Sequence, residues 1–129
     1  MSLFCRFFIF YNRGMMRKTD KKTENAIREA LTEVCDLALQ NVAGFKWLTH
    51  KVTDFKALSE SLYILCVFET NENISDVLNE QKDEFIFSLI KEKLNIASID
   101  VKNIRKQVRL DSEEACEKYH DGKWQERFK

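Results

Sequence analysis

The run 61–70, SLYILCVFET, constrains the fold more than any other stretch of this chain. Its alternating positions are apolar on both sides: Leu62, Ile64, Cys66 and Phe68 on one, Tyr63, Leu65 and Val67 on the other. Aromatic and β-branched residues favour a strand, and a strand that is apolar on both faces has to be covered on both. The run therefore predicts a central strand. It also leaves open what covers the face that the predicted helices do not reach.

The flanking segments supply the rest of a small domain. Apolar residues recur at Ile27, Ala30, Leu31, Val34, Ala38 and Val42 with helical spacing, while Arg28, Glu29, Glu33 and Asp36 fill the outer face. Asp20 or Thr23 is placed to cap this helix, and Gly44 to stop it. Residues 45–52, FKWLTHKV, alternate loosely and predict a strand. Thr70, Asn71, Glu72 and Asn73 read as a polar turn, followed by a helical region over 74–96. Its polar stretch 79–83 is either solvated helix or a break between two helices. Residues 101–110 alternate Ile104, Val108 and Leu110 against Asn103, Arg105, Gln107 and Arg109, the pattern of a half-buried strand with a basic outer face. Asp111 or Ser112 can cap a final helix through about Tyr119, and Glu113, Glu114 and Glu117 suit its N-terminal half. Asp121 and Gly122 signal a turn, after which Trp124 can fold back as an anchor.

The predicted order is α-β-β-α(α)-β-α. It describes an α+β two-layer sandwich, with a three-stranded mixed sheet and helices on one face. A helix between the second and third strands calls for a right-handed crossover. The second face would carry some of Trp47, Thr49, Tyr63, Leu65, Arg105 and Arg109. That face is exposed for a partner, or closed by an N-terminal arm or the C-terminal tail.

At 129 residues the chain is one domain, over residues 23–129. Residues 1–22 form a lead. Within it, Met16 opens MRKTDKK and reads as a bacterial protein start, so residues 1–15 are expected to be non-native upstream sequence. The alternative is an extra strand or a partner-binding arm. Lysine and arginine number 21 and aspartate and glutamate 21, a balance that excludes bulk attraction to nucleic acid or membrane but not a local patch. Only three glycines occur, too far apart for a Gly-rich phosphate loop. No stretch has the roughly 18 apolar residues of a membrane span, so no membrane partner is expected. Cys5, Cys35, Cys66 and Cys116 show no metal-ligand spacing and read as free thiols of a cytoplasmic protein.

No catalytic motif is visible, and neither an enzyme activity nor a cofactor is predicted. Cys116 and His120 share a helix face, but two ligands do not make a zinc site. Cys116, His50 and Asp54 can be drawn as a nucleophilic triad, yet nothing in the sequence brings them together. The stronger feature is the basic segment Lys102, Arg105, Lys106 and Arg109. Arg105 and Arg109 are expected on one sheet face beside the aromatics of neighbouring strands. Cations interleaved with aromatics suit single-stranded nucleic acid, through phosphate pairing and base stacking. Arg17, Lys18, Lys21 and Lys22 can add phosphate contacts. Two other readings stay open: a solvated basic face that balances the acidic final helix, and a protein interface or homodimer burying Trp47, Tyr63 and Leu65. A small-molecule pocket or an enzyme is a third and weaker reading.

The stretch LYILCVFETNENISDVL, followed by LIKEKLNI and KNIRKQV, resembles type II KH-like domains such as those of DciA-type helicase-loading proteins and ribosome-binding factor A. The likeness covers residues 45–108 as a pattern. It implies a KH-like sheet and a nucleic-acid-associated role. RNA-gripping KH domains carry Gly-x-x-Gly between the paired helices, where this chain has Asn79, Glu80, Gln81 and Lys82. From Met16, MRKTDKKTENAIREALTEVCDLAL with FKWLTH, CVFETN and HDGKW is also similar to a small family of uncharacterised bacterial proteins. Some of its members are labelled Fis-type transcriptional regulator, which implies a regulatory role. A Fis-like protein reads the major groove with a basic C-terminal helix, whereas Asp111, Glu113 and Glu114 make this segment acidic.

Overall fold

The computed structural model describes residues 17–128. Its elements are α1 (Lys18–Asn41), β1 (Phe45–Val52), a 3-10 turn (Phe55–Ala57), α2 (Leu58–Ser61) and β2 (Leu62–Phe68). There follow α3 (Asn71–Asn79), α4 (Lys82–Ile96), α5 (Ile104–Gln107), β3 (Val108–Ser112), α6 (Glu113–His120) and α7 (Trp124–Arg127). The sheet order is β1-β2-β3, with β1 antiparallel and β3 parallel to β2. The fold is thus α+β with a three-stranded mixed sheet, and the doubly apolar run is its central strand.

The main core lies on one face of the sheet. Ile27, Leu31, Val34 and Ala38 of α1 and Ile86, Ile90 and Leu94 of α4 bury against Leu62, Ile64, Cys66 and Phe68 of β2. Each fully buried aliphatic side chain contributes about 1.5–3 kcal/mol relative to exposure. Phe45 meets Phe68 edge-on, with centroids 5.6 Å apart. Burial pushes the Cys66 thiol up to about 12.

The second face is closed by the C-terminal tail. Trp47, Leu65 and Val67 pack with Cys116 of α6 and with Trp124 and Phe128, and Tyr63 lies at the margin. Asp111 pins this tail. Its carboxylate accepts from Arg127 Nε at 2.6 Å and Arg127 Nη2 at 2.9 Å, and from Arg109 Nη2 at 3.0 Å. The Trp47 indole N–H donates to Glu113 Oε1 at 2.6 Å.

Several boundaries differ from the sequence expectation. α1 starts at Lys18, so the lead expected to residue 22 is helical from 18 onward. Arg17 holds the N-cap position, and its N–H donates to Asp20 Oδ2 at 3.3 Å. Thr23 lies inside the helix and donates to Thr19 O. The expected leader or arm over 1–15 falls outside the described residues. Thr70 and Asn73, expected in a turn, form the capping box that opens α3. The polar stretch 79–83 resolves into a break, with Gln81 left-handed at φ 60°.

The largest correction concerns 101–110. The segment enters the sheet only at Val108, and Ile104–Gln107 forms a helical turn. Gln107 fixes that turn. Its amide nitrogen donates to Ser59 O and Leu62 O, both at 2.9 Å, while its oxygen accepts from Asn103 N at 2.8 Å. Ile104 and Val108 are four apart, a spacing that also suits one helical turn, so alternation alone was ambiguous. Free thiols are found at Cys66 and Cys116, but Cys35 is disulfide-bonded.

Candidate anion-binding groove

Sheet register decides which polar side chains share the second face. Thr49 pairs with Leu65, Lys51 with Tyr63, and Leu65 with Arg109. Lys51, Tyr63 and Arg109 therefore lie on one side of three adjacent strands. α5 brings Lys106 to the same end, and the tail delivers Phe128. Together with Thr53, Ile64 and Gln107 they line a groove of about 390 Å³.

Among the described residues, three cations line this groove and no Asp or Glu side chain does. The Lys51 ammonium lies 4.7 Å from the centroid of Phe128 and 5.8 Å from that of Tyr63. Burial, and then the nearby Arg109 guanidinium, lower its pKa below the usual lysine value. Arg109 stands over Phe128 at 5.8 Å and shares Asp111 with Arg127. The Asp111 carboxyl is raised by burial, but its hydrogen bonds to Arg127 and the Ser112 N–H, with the charges of Arg127 and Arg109, outweigh this and leave it lowered. Asp111 therefore stays an anion and holds Arg109 at the groove edge.

The basic residues singled out from sequence separate into groups. Lys106 and Arg109 reach the groove. Lys102 binds Glu60 at 2.7 Å, and Arg105 binds Glu84 at 3.4 Å and Asp83 at 3.9 Å while covering Phe87. Arg105 is on α5 rather than on a strand, so it does not share a sheet face with Arg109. Arg17 is engaged with Asp20 at 3.2 Å, and Lys18, Lys21 and Lys22 are exposed along the start of α1. Trp47 and Leu65 are buried beneath the tail, which corrects the expectation of an open interface there; Tyr63 is half-buried and lines the groove. Sequence reasoning missed Lys51 and Phe128. The alternation of FKWLTHKV puts Lys51 on the face of Trp47, a usable signal. Phe128 carried none.

Other chemical groupings do not assemble. His50 faces the main core, where its Nε2 lies 2.6 Å from Glu24 Oε1. Cys116 belongs to the second-face cluster, and Asp54 caps the 3-10 turn by accepting from Lys56 N. The drawn triad is therefore split across the sheet. His120 Nδ1 lies 3.3 Å from Arg127 Nη1. Among the described residues, no group of three or more His, Cys, Asp or Glu is placed to hold a metal, and no helix is long and apolar enough to cross a membrane.

The Glu24 and His50 pair is a second feature the sequence did not disclose. Glu24 is fully buried and also accepts from Arg28 Nε at 3.1 Å. Its signal was its position, three residues before Ile27 on the apolar stripe of α1. No protein-family model, no curated protein and no solved structure matches this chain.

Proposed function

We propose that this protein is a non-enzymatic binding protein that engages single-stranded nucleic acid through the groove of Lys51, Lys106 and Arg109. One observation carries the reading: three cations meet around Tyr63 and Phe128, and among the described residues no Asp or Glu side chain joins the lining. Phosphates pair with such cations, and a half-exposed tyrosine ring offers a face to a base. The α3–α4 junction supports a glycine-clamped site less well. It carries Glu80, whose carboxylate takes up Lys82 at 3.2 Å. A KH-like or regulatory role would be exercised through the groove. A protein partner or second copy burying Trp47, Tyr63 and Leu65 has less support, because α6 and α7 already cover Trp47 and Leu65.

Fluorescence anisotropy with a labelled single-stranded oligonucleotide tests this. Three cations engaged with the strand give a log–log salt slope near −2, and Lys51→Ala or Lys106→Ala each reduces it by about 0.7. Lys102→Ala, outside the groove, serves as the control. Absence of binding at low salt, or binding indifferent to both groove variants, refutes the reading.

A further inference from the structure

We propose that the groove is a site for a phosphate monoester carried on a nucleoside, either the phosphorylated end of a single strand or a free mononucleotide. This rests on the nucleic-acid reading above and narrows it. At about 390 Å³ the groove lies near the small end of ligand pockets, which span about 300–1,000 Å³. It accommodates about one nucleotide, not a run of them.

An internal phosphodiester carries one negative charge, whereas a terminal phosphate carries about −1.5 to −2 at pH 7. Lys51, Lys106 and Arg109 present three positive charges from β1, α5 and β3. Asp111 draws on Arg109, but among the described residues neither Lys51 nor Lys106 is ion-paired with a carboxylate. The mutual repulsion of Lys51 and Arg109 is relieved more fully by a dianion than by a monoanion.

The Gln107 amide is committed to Ser59 O, Leu62 O and Asn103 N, which leaves the hydroxyls of Thr53 and Tyr63 as the neutral side-chain groups that can hydrogen-bond a base edge, and no side-chain amide to pair with one bidentately. Tyr63, Ile64 and Phe128 offer apolar surface instead. Such a site holds a phosphate by charge and a base by its face, with little preference among bases.

The test uses the full chain and anisotropy titrations with oligonucleotides of one sequence, bearing a 5′-phosphate, a 3′-phosphate or hydroxyls at both ends. Adenosine monophosphate and inorganic phosphate act as competitors. A phosphorylated oligonucleotide should bind about tenfold tighter than its hydroxyl twin, the scale of one charge-assisted contact. Lys51→Gln and Lys106→Gln should each erase most of that preference, with circular dichroism confirming the fold. Competition by the mononucleotide assigns the site to free nucleotides as well as strand ends; its failure to compete assigns strand ends alone. Equal affinity for phosphorylated and hydroxyl oligonucleotides, with salt-sensitive binding retained, overturns the end preference and leaves the single-strand reading intact. Inorganic phosphate competing as well as the mononucleotide overturns the nucleoside part. No binding of any probe at low salt overturns both readings.

Discussion

The indole of Trp124 meets that of Trp47 edge-on, with centroids 5.1 Å apart and planes at 86°. This contact joins the last helix to the first strand, and both rings are buried. An edge-to-face pair contributes about 0.5–1.5 kcal/mol beyond the burial of its area. Trp124→Ala should therefore lower unfolding stability by about 3 kcal/mol, at the lower end for a buried tryptophan. Urea denaturation reads the loss, and emission from Trp47 should shift to the red as its cover is removed. A loss below about 1 kcal/mol would show that the tail is not part of the cooperative fold.

Asp111 gives the tail a pH dependence. Its carboxyl lies below its ordinary value because Arg127 and the Ser112 N–H outweigh the opposing effect of burial. The folded value is thus below the unfolded value of about 3.9. The stabilisation is complete above that unfolded value and is lost as pH falls through the folded one. Asp111→Asn should lose about 2 kcal/mol at pH 7 and flatten the acid limb of a stability–pH curve. An unchanged acid limb would remove Asp111 from this role.

The Glu24 and His50 pair is a stability element on the main core face. Removing Glu24 takes the carboxylate away from the Arg28 guanidinium as well as from His50, and removing one partner of a buried ion pair costs about 3–5 kcal/mol. Glu24→Ala should fall in that range by chemical denaturation. Glu24→Gln retains an oxygen that can accept from His50 and should lose less. Equal losses would show that the packing of the side chain matters and its acceptor does not.

Gly44 occupies φ +84° at the turn into β1, and a Cβ there would run into the side chain of Asn73. Asn73 belongs to the capping box of α3, so the collision reaches a second element. Gly44→Ala should cost more than about 1 kcal/mol. Gly122→Ala should cost less, since its Cβ would meet only the movable carboxylate end of Glu117. Thermal melts of the two variants give the order.

Binding of an anion in the groove should be coupled to protonation. Lys51 faces Arg109 from β3, Lys106 from α5 and Tyr63 from β2, and burial with Arg109 lowers its pKa in the free protein. A bound phosphate raises that value again. Affinity should fall as pH rises through the lowered Lys51 value, with proton uptake on binding in that range. Calorimetry in buffers of different ionisation enthalpy measures the uptake, and Lys51→Gln should abolish it.

Much of this architecture could be read from residue patterns. The two apolar faces of 62–68 required a central strand, and helical spacing over 27–42 located the helix that covers one of them. Trp124, taken as a fold-back anchor, does close the other face. The segment 101–110 could not be read, because Ile104 and Val108 fit both a strand and a helical turn. The choice was made by Gln107 reaching Ser59 and Leu62, some 45 residues away in sequence. The groove was half legible for a similar reason. Lys106 and Arg109 stood in a visible basic run, but their separation from Lys102 and Arg105 depends on Glu60, Asp83 and Glu84. Such pairings are properties of the folded chain.

The closure of the second face also sets an order of completion during synthesis. β1 ends 72 residues and β2 56 residues before Trp124, which with Cys116 and Phe128 shields Trp47, Leu65 and Val67. A nascent chain that stops short of Trp124 displays those side chains to its surroundings. A partly made copy is therefore the adhesive form of this molecule, and residues 124–128 act as the seal over that face.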